Sequence, residues 1–282
     1  VGSVADKVEA VLLVESKDGT PIAYERRGSG PVVILVDGAL CSRTFGPTPK
    51  LAPVLAERFT VVSYDRRGRG KSGDREPYSI DREIEDLAAL IEASGGSAFL
   101  YGASSGAVLA LRAAARGIGV AKLAMYDPPF VTAGAPAPVP PDRVREIIEH
   151  ARAGRRSDAV KTFLRMVGTP AMAIPIMRII PGVWSNLTAV AHTLPYDLAM
   201  LGDYGADKPV PADVAEALAA VRVPTLVGVG AKSPGWMQHT VDVVARGVPG
   251  ARREVLAGQN HVVSEKAIGP VLVEFFSSEV AS

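Results

Sequence analysis

The stretch Gly102-Ala103-Ser104-Ser105-Gly106 lies inside FLYGASSGAVLAL, between a strand-like apolar run and a helix-like one. A G-x-S-x-G turn at such a junction is the geometry of a nucleophilic serine. Its glycines omit Cβ atoms where the backbone must bend sharply, so the serine is pushed out at the bend. The helix that starts there offers backbone N–H groups to a developing negative charge. The spacing selects Ser104, flanked by Gly102 and Gly106. Ser105 follows and contributes its N–H as one oxyanion donor. Five residues of this composition also make an ordinary turn, so the reading depends on the elements to either side.

Those elements follow from hydrophobic patterning. VEAVLLVES and PIAYERRG predict two opening strands split by a KDG turn. PVVILVDG and FTVVSYDRRG are solid apolar runs, as in strands buried on both faces. Ile80, Ile84, Leu87 and Leu90 recur at helical spacing, with Ser79 as N-cap and Gly95-Gly96 as stop. SAFLYG is the strand before the serine turn and SGAVLALRAAARG the helix after it. AKLAMYDPP is a further strand, halted by Pro128-Pro129. From Pro128 to about Val223 a Pro/Ala run, AGAPAPVPPD, leads into helical stretches only, among them NLTAVAHTLPYDLAML. Alternation then resumes with strand PTLVGVG, helix GWMQHTVDVVARG, strand ARREVLAG and a last helix near VLVEFFSSEV. Strands and helices in this order predict an α/β fold with a mostly parallel, doubly wound sheet. Residues 1–127 and 224–282 form its core, and residues 128–223 an inserted helical cap.

Together with the serine turn, three segments make the chain resemble the α/β-hydrolases almost end to end. VILVDGAL is similar to the family's oxyanion loop after the third strand, which usually reads H-G-x. VVSYDRRGRGKS resembles the D-x-R-G-x-G-x-S segment after the fourth strand, and LAGQNHVV the late loop that carries the catalytic histidine. The resemblance implies the α/β-hydrolase fold and cofactor-free acyl chemistry at Ser104. It also implies a second oxyanion donor at Gly38 or Ala39, and His261 as the base.

Elimination points to the same histidine. A serine hydroxyl is a poor nucleophile until a base takes its proton. Of His150, His192, His239 and His261, the first and third fall in predicted helices and His192 in the cap. His261 alone sits in a loop between the last strand and the last helix. A carboxylate must orient it, and the family usually carries that acid after the seventh strand. Here that place holds Ser233, which cannot carry the charge. Either the acid is lost, leaving a pocket that binds ligands with little turnover, or it has moved. Asp127 ends the sixth strand, 23 residues after Ser104, and some α/β-hydrolases carry the acid there. A turn carboxylate before proline is the plainer account of Asp127; the vacancy at 233 favours the moved acid.

Three departures coincide: Asp37-Gly38 in place of H-G, Ser104-Ser105-Gly106-Ala107 at the turn, and an acid after the sixth strand. In these the chain resembles fungal zearalenone lactonases, although those use Glu where this chain has Asp127, and the cap does not match. That resemblance implies an apolar ester or lactone as substrate, and Asp37 as a group that hydrogen-bonds a substrate hydroxyl. Asp37 reads equally well as a loop carboxylate accepting backbone N–H bonds. Other acyl or carbon–carbon chemistry remains open to the same triad.

In the cap, Met166, Met172, Met177, Trp184, Leu187, His192, Tyr196 and Met200 can pack the cap's own core or roof the site. Trp184, His192 and Tyr196 are carried forward as candidate substrate contacts. Arg66, Arg67, Arg69 and Lys71 read as a solvated loop with ion pairs; Asp65 stands where a phosphate loop needs glycine. Cys41 reads as a packing residue and excludes an intrachain disulfide. A net charge of +1 over 282 residues argues against nucleic acid as partner. No metal site is expected. No apolar run reaches the length of a membrane span, and VGSVADKVEA lacks the regions of a signal peptide. A cytoplasmic location is the expectation, and a homodimer is an open assembly.

Overall fold

The computed structural model describes residues 10–130, 141–201, 210 and 212–279. Eight strands form one sheet: β1 (Leu12–Glu15), β2 (Pro21–Arg27), β3 (Val32–Val36), β4 (Thr60–Tyr64), β5 (Ala98–Ala103), β6 (Val120–Tyr126), β7 (Thr225–Gly230) and β8 (Arg252–Leu256). Their order is β1-β2-β4-β3-β5-β6-β7-β8. β2 pairs antiparallel with β1 and β4, and every other neighbouring pair is parallel. The chain steps outward from β3 to β4, then crosses back to lay β5 on the other side of β3. That reversal opens a crevice beyond the carboxyl ends of β3 and β5, where ligands bind in such sheets.

Helices follow in chain order: α1 (Thr48–Leu55), α2 (Ile80–Glu92), α3 (Ser105–Ala115), α4 (Pro141–Arg152), α5 (Arg156–Met166), α6 (Ala173–Ile179), α7 (Val183–Ala189), α8 (Leu194–Met200), α9 (Ala212–Ala220), α10 (Gly235–Gly247) and α11 (Glu265–Ser277). Successive strand residues point to opposite faces. Val33 and Leu35 therefore join the core under α1 and α11, while Ile34 and Val36 join the core under α2, α3 and α10. Every described element between β6 and β7 is helical, α4 to α9 with a 3₁₀ turn at Ala191–Thr193. The Pro/Ala run over residues 133–140 and the amino-terminal residues 1–9 lie outside the described residues. Among the described residues no helix is long and apolar enough to cross a membrane.

Three local readings change. The helix expected over residues 186–201 is broken into α7, the 3₁₀ turn and α8. Pro195 has no N–H and is best accommodated in the first turn of a helix, where it sits in α8. α11 starts at Glu265, earlier than its apolar stripe, because the Ser264 side chain accepts from the Lys266 N–H and caps it.

The third change is larger. Arg66, Arg67 and Arg69 do not form a solvated loop; each is 2% exposed or less, and Lys71 alone stays at the surface. Burying a guanidinium is tolerable only when it is paired, and all three are. Arg66 forks onto Glu83 (2.7 and 2.8 Å), Arg67 bonds Asp86 and Asp18, and Arg69 Nη2 donates to both carboxylate oxygens of Asp197. Asp65 ties the loop down by accepting N–H bonds from Arg43 (3.0 Å) and Lys71 (2.9 Å). Gly70 has φ +52, and a Cβ there would lie 2.2 Å from the Asp65 carboxylate, so the loop requires glycine.

Candidate active site

The strand register brings three corners together. Val36 pairs with Gly102, and Ala103 with Tyr126, so Asp37, Ser104 and Asp127 follow their strands at one carboxyl edge. Ser104 has φ 55 and ψ −128, a conformation that disfavours non-glycine residues. Its N–H donates to the Tyr126 carbonyl (2.9 Å), locking the turn to β6. The flanking glycines are steric necessities. A Cβ on Gly102 would lie 2.4 Å from the Gly106 carbonyl oxygen, and one on Gly106 would lie 2.1 Å from that of Val36. Gly38 is constrained in the same way: its Cβ would meet the Ser104 Cβ at 2.9 Å. The β3 loop thus lies against the serine, with Ser105 opening α3 on the other side.

Asp127 is fully buried and also holds a positive φ, +45. Its Oδ2 lies 3.2 Å from His261 Nδ1. The same oxygen accepts a 2.6 Å hydrogen bond from Ser233 Oγ. Ser233 was read as an empty acid position, without a part of its own; it is instead a direct partner of the carboxylate. The His261 loop is docked by the Tyr126 hydroxyl, which donates to the Asn260 carbonyl (2.6 Å), and by the Lys232 N–H on the Gln259 carbonyl (2.7 Å). His261 is one-third exposed at its side chain, whereas its partner is closed to solvent. With Nδ1 donating to Asp127, Nε2 is the basic nitrogen. Among the described residues no hydrogen bond joins Ser104 to His261; such bonds tighten when substrate is bound.

Asp37 is buried at the start of the loop after β3. Burial pushes its carboxyl up to about 7, against the opposing pull of a Thr48 hydrogen bond and the Arg69 and Arg66 charges. Burial also pushes the Cys41 thiol up, and its Sγ donates to the Ala39 carbonyl at 3.4 Å. The cap candidates have partners of their own. The Tyr196 hydroxyl bonds Asp74 (3.1 Å), and its ring stacks on Tyr78 at 3.9 Å. His192 lies among Arg156, Asp74 and the Gly68 and Ala189 backbones, and burial holds its imidazole below the usual range. Trp184 carries the Arg178 guanidinium over its ring at 5.5 Å. None of the three is brought to Ser104 or His261 by a hydrogen bond.

A buried ion network behind the serine had no counterpart among the sequence candidates. Asp197 on α8 accepts from Arg66 (2.8 Å), Arg69 (2.7 and 2.8 Å) and Ser105 Oγ (2.7 Å). The two arginines in turn hold the loop after β3 by its carbonyls. Arg66 donates to Asp37 O (3.2 Å), and Arg69 to Gly38 O (2.6 Å) and Cys41 O (3.2 Å). The only sequence sign was the closely spaced Arg66, Arg67 and Arg69 next to an apolar strand.

A model of the alpha/beta hydrolase family matches residues 28–271. An alpha/beta hydrolase from Sphaerobacter thermophilus superposes with TM-score 0.85 at 48% identity, covering 94% of this chain and 100% of that one. The enol-lactonase from Burkholderia xenovorans superposes with TM-score 0.73 at 20% identity, over 95% and 100% of the two chains; this likeness is one of fold. In sequence, 100 residues are 37% identical to an uncharacterized hydrolase of Bacillus subtilis. That match covers 33% of this chain and 35% of the relative, so the chain spans about a third of its length. With the family pattern running over nearly the whole core, and the serine turn at its strand edge, this chain belongs to the alpha/beta hydrolase family.

Proposed function

We propose that the protein is a serine hydrolase that cleaves a carboxylic ester or lactone of an apolar small molecule, through an acyl-enzyme and without a cofactor. One observation carries the reading: a buried carboxylate, Asp127, meets His261 at 3.2 Å one strand away from the serine turn. Ser104 Oγ attacks the carbonyl carbon while His261 Nε2 takes its proton. The tetrahedral oxyanion accepts N–H bonds from Ser105 and from the Gly38–Ala39 segment. The C–O bond then breaks, and the leaving alcohol takes the proton from His261. Water repeats the sequence on the acyl-enzyme and releases the acid. Asp127 holds the imidazole in the tautomer that leaves Nε2 basic and offsets the charge it gains.

The lactone branch draws on Asp37-Gly38, the S-S-G-A turn and the acid after β6, which coincide as in zearalenone lactonases. The helical insertion is the cap that sets substrate size. A binding-only reading drew its support from the vacancy at position 233. The Asp127 carboxylate bonded to Ser233 fills that vacancy and weakens it.

The test is a serine-directed phosphonate followed by peptide mass mapping, alongside hydrolysis of a short p-nitrophenyl ester. A single adduct on Ser104 is expected. Ser104→Ala should lose adduct and turnover together, by roughly 10⁴-fold or more, with its thermal transition intact. Turnover that survives Ser104→Ala overturns the reading.

A further inference from the structure

The oxyanion loop is not held by its own strand and helix alone. Arg66 and Arg69 grip the carbonyls of Asp37 and Gly38, while a trans peptide points its C=O and the following N–H in opposite directions. Fixing the Asp37 carbonyl therefore aims the Gly38 N–H, and fixing the Gly38 carbonyl aims that of Ala39. These are the donors that the proposed reaction needs beside Ser104. On the other side of the serine, Ser105 is held by its hydroxyl on Asp197 (2.7 Å).

Both arginines are buried, and their charge is balanced by two carboxylates, Glu83 and Asp197. Glu83 belongs to α2 of the core. Asp197 belongs to α8 of the insertion, as does the 3₁₀ residue Thr193, whose hydroxyl accepts from Arg69 (3.2 Å). One carboxylate from the insertion thus touches all three groups that shape the oxyanion hole: Arg66, Arg69 and Ser105.

We propose that Asp197 is a positioning residue for catalysis, making the oxyanion hole geometry conditional on the seating of α8 over the core. With α8 seated, both arginines are neutralised and the peptides at 37–39 are held. With Asp197 withdrawn, the freed guanidinium groups turn to other acceptors and the N–H donors lose their aim. The insertion then does more than shape the pocket, because it completes the machinery that stabilises the transition state. This rests on the acyl-enzyme reading above.

The test compares Asp197→Asn with the unmutated protein on p-nitrophenyl acetate. The expected result is a fall in kcat of roughly tenfold to a hundredfold with KM within about twofold, since the lost interaction acts in the transition state. Affinity for a trifluoromethyl ketone, which forms the tetrahedral adduct, should weaken in parallel. Asp213→Asn cuts another ion pair between insertion and core, Arg112–Asp213 at 2.7 Å, and should leave kcat unchanged. Should Asp197→Asn fail to fold, Ser105→Ala removes the hydroxyl that donates to Asp197 and accepts from Arg66 (3.3 Å), leaves both charged groups in place, and should still lower kcat about threefold to tenfold at constant KM. No turnover by the unmutated protein overturns the acyl-enzyme reading and this inference with it. Turnover with kcat unchanged in the folded Asp197 variant, or in Ser105→Ala where that variant does not fold, overturns this inference alone.

Discussion

The corners after β5 and β6 are neighbours at one sheet edge, and each holds a non-glycine residue at positive φ, Ser104 at +55 and Asp127 at +45. They are held there by different means. Around Ser104 the backbones of β3, β5 and α3 approach so closely that Gly102 and Gly106 leave no room for a methyl group. Around Asp127 the restraint comes from side chains and one loop: Ser233 donates to its carboxylate at 2.6 Å and His261 faces it at 3.2 Å. The first corner is fixed by backbone sterics, between the serine turn and the end of β3 as well as within the turn itself. The second is assembled from residues more than a hundred positions apart. A corner fixed by contact fails as a unit, whereas one built from hydrogen bonds can lose a member and keep its shape.

Substitutions should separate the two. Gly106→Ala has the largest expected effect, because its Cβ would sit 2.1 Å from a backbone oxygen that cannot swing away. A loss of about 3 kcal/mol or more in urea unfolding is expected; a variant as stable as the parent would remove the steric account of the first corner. At the second corner Ser233→Ala should fold normally and lower kcat/KM about tenfold, the effect of losing one hydrogen bond to a charged acceptor. Unchanged kinetics would reduce Ser233 to packing.

A pH-dependent effect concerns Asp37, which borders the first corner. Burial keeps its carboxyl protonated up to about pH 7, against its ordinary 3.8. The folded chain therefore keeps a proton that the unfolded chain releases. Stability is lost as pH rises from about 4 to about 7, with a slope of ~1.4 kcal/mol per pH unit from this group. Asp37→Asn should flatten the stability curve over that window relative to the parent. Parallel curves for the two proteins would mean that Asp37 is ionised in the fold.

The same contrast explains what could be read in advance. Strands β1 to β8, the helices beside the serine and the helical insertion follow from apolar periodicity, which is local. Gly102, Ser104 and Gly106 are legible because close backbone approach demands glycine at fixed offsets. Asp127 was reached indirectly, through the serine that stands in the usual acid position. Its bond to Ser233 was not reached, because a side-chain bond across 106 positions leaves no spacing to detect. The arginines after β4 were misread for a related reason. Charge in a loop is usually solvated, and Glu83 and Asp197, which allow the burial of Arg66 and Arg69, lie in other elements. Helix α1, with Pro49 and Pro53 in its span, was not among the expected elements.

The central claim is that Asp127 is the acid that orients His261. The direct measurement is kcat/KM of Asp127→Asn on a p-nitrophenyl ester, with Asp127→Asn/Ser233→Asp beside it. A fall of roughly 10⁴-fold is expected for the single variant, by loss of the correct tautomer. The double variant should regain roughly tenfold to a hundredfold of that loss, since its carboxylate enters at the neighbouring position. An Asp127→Asn enzyme within tenfold of the parent would contradict the account.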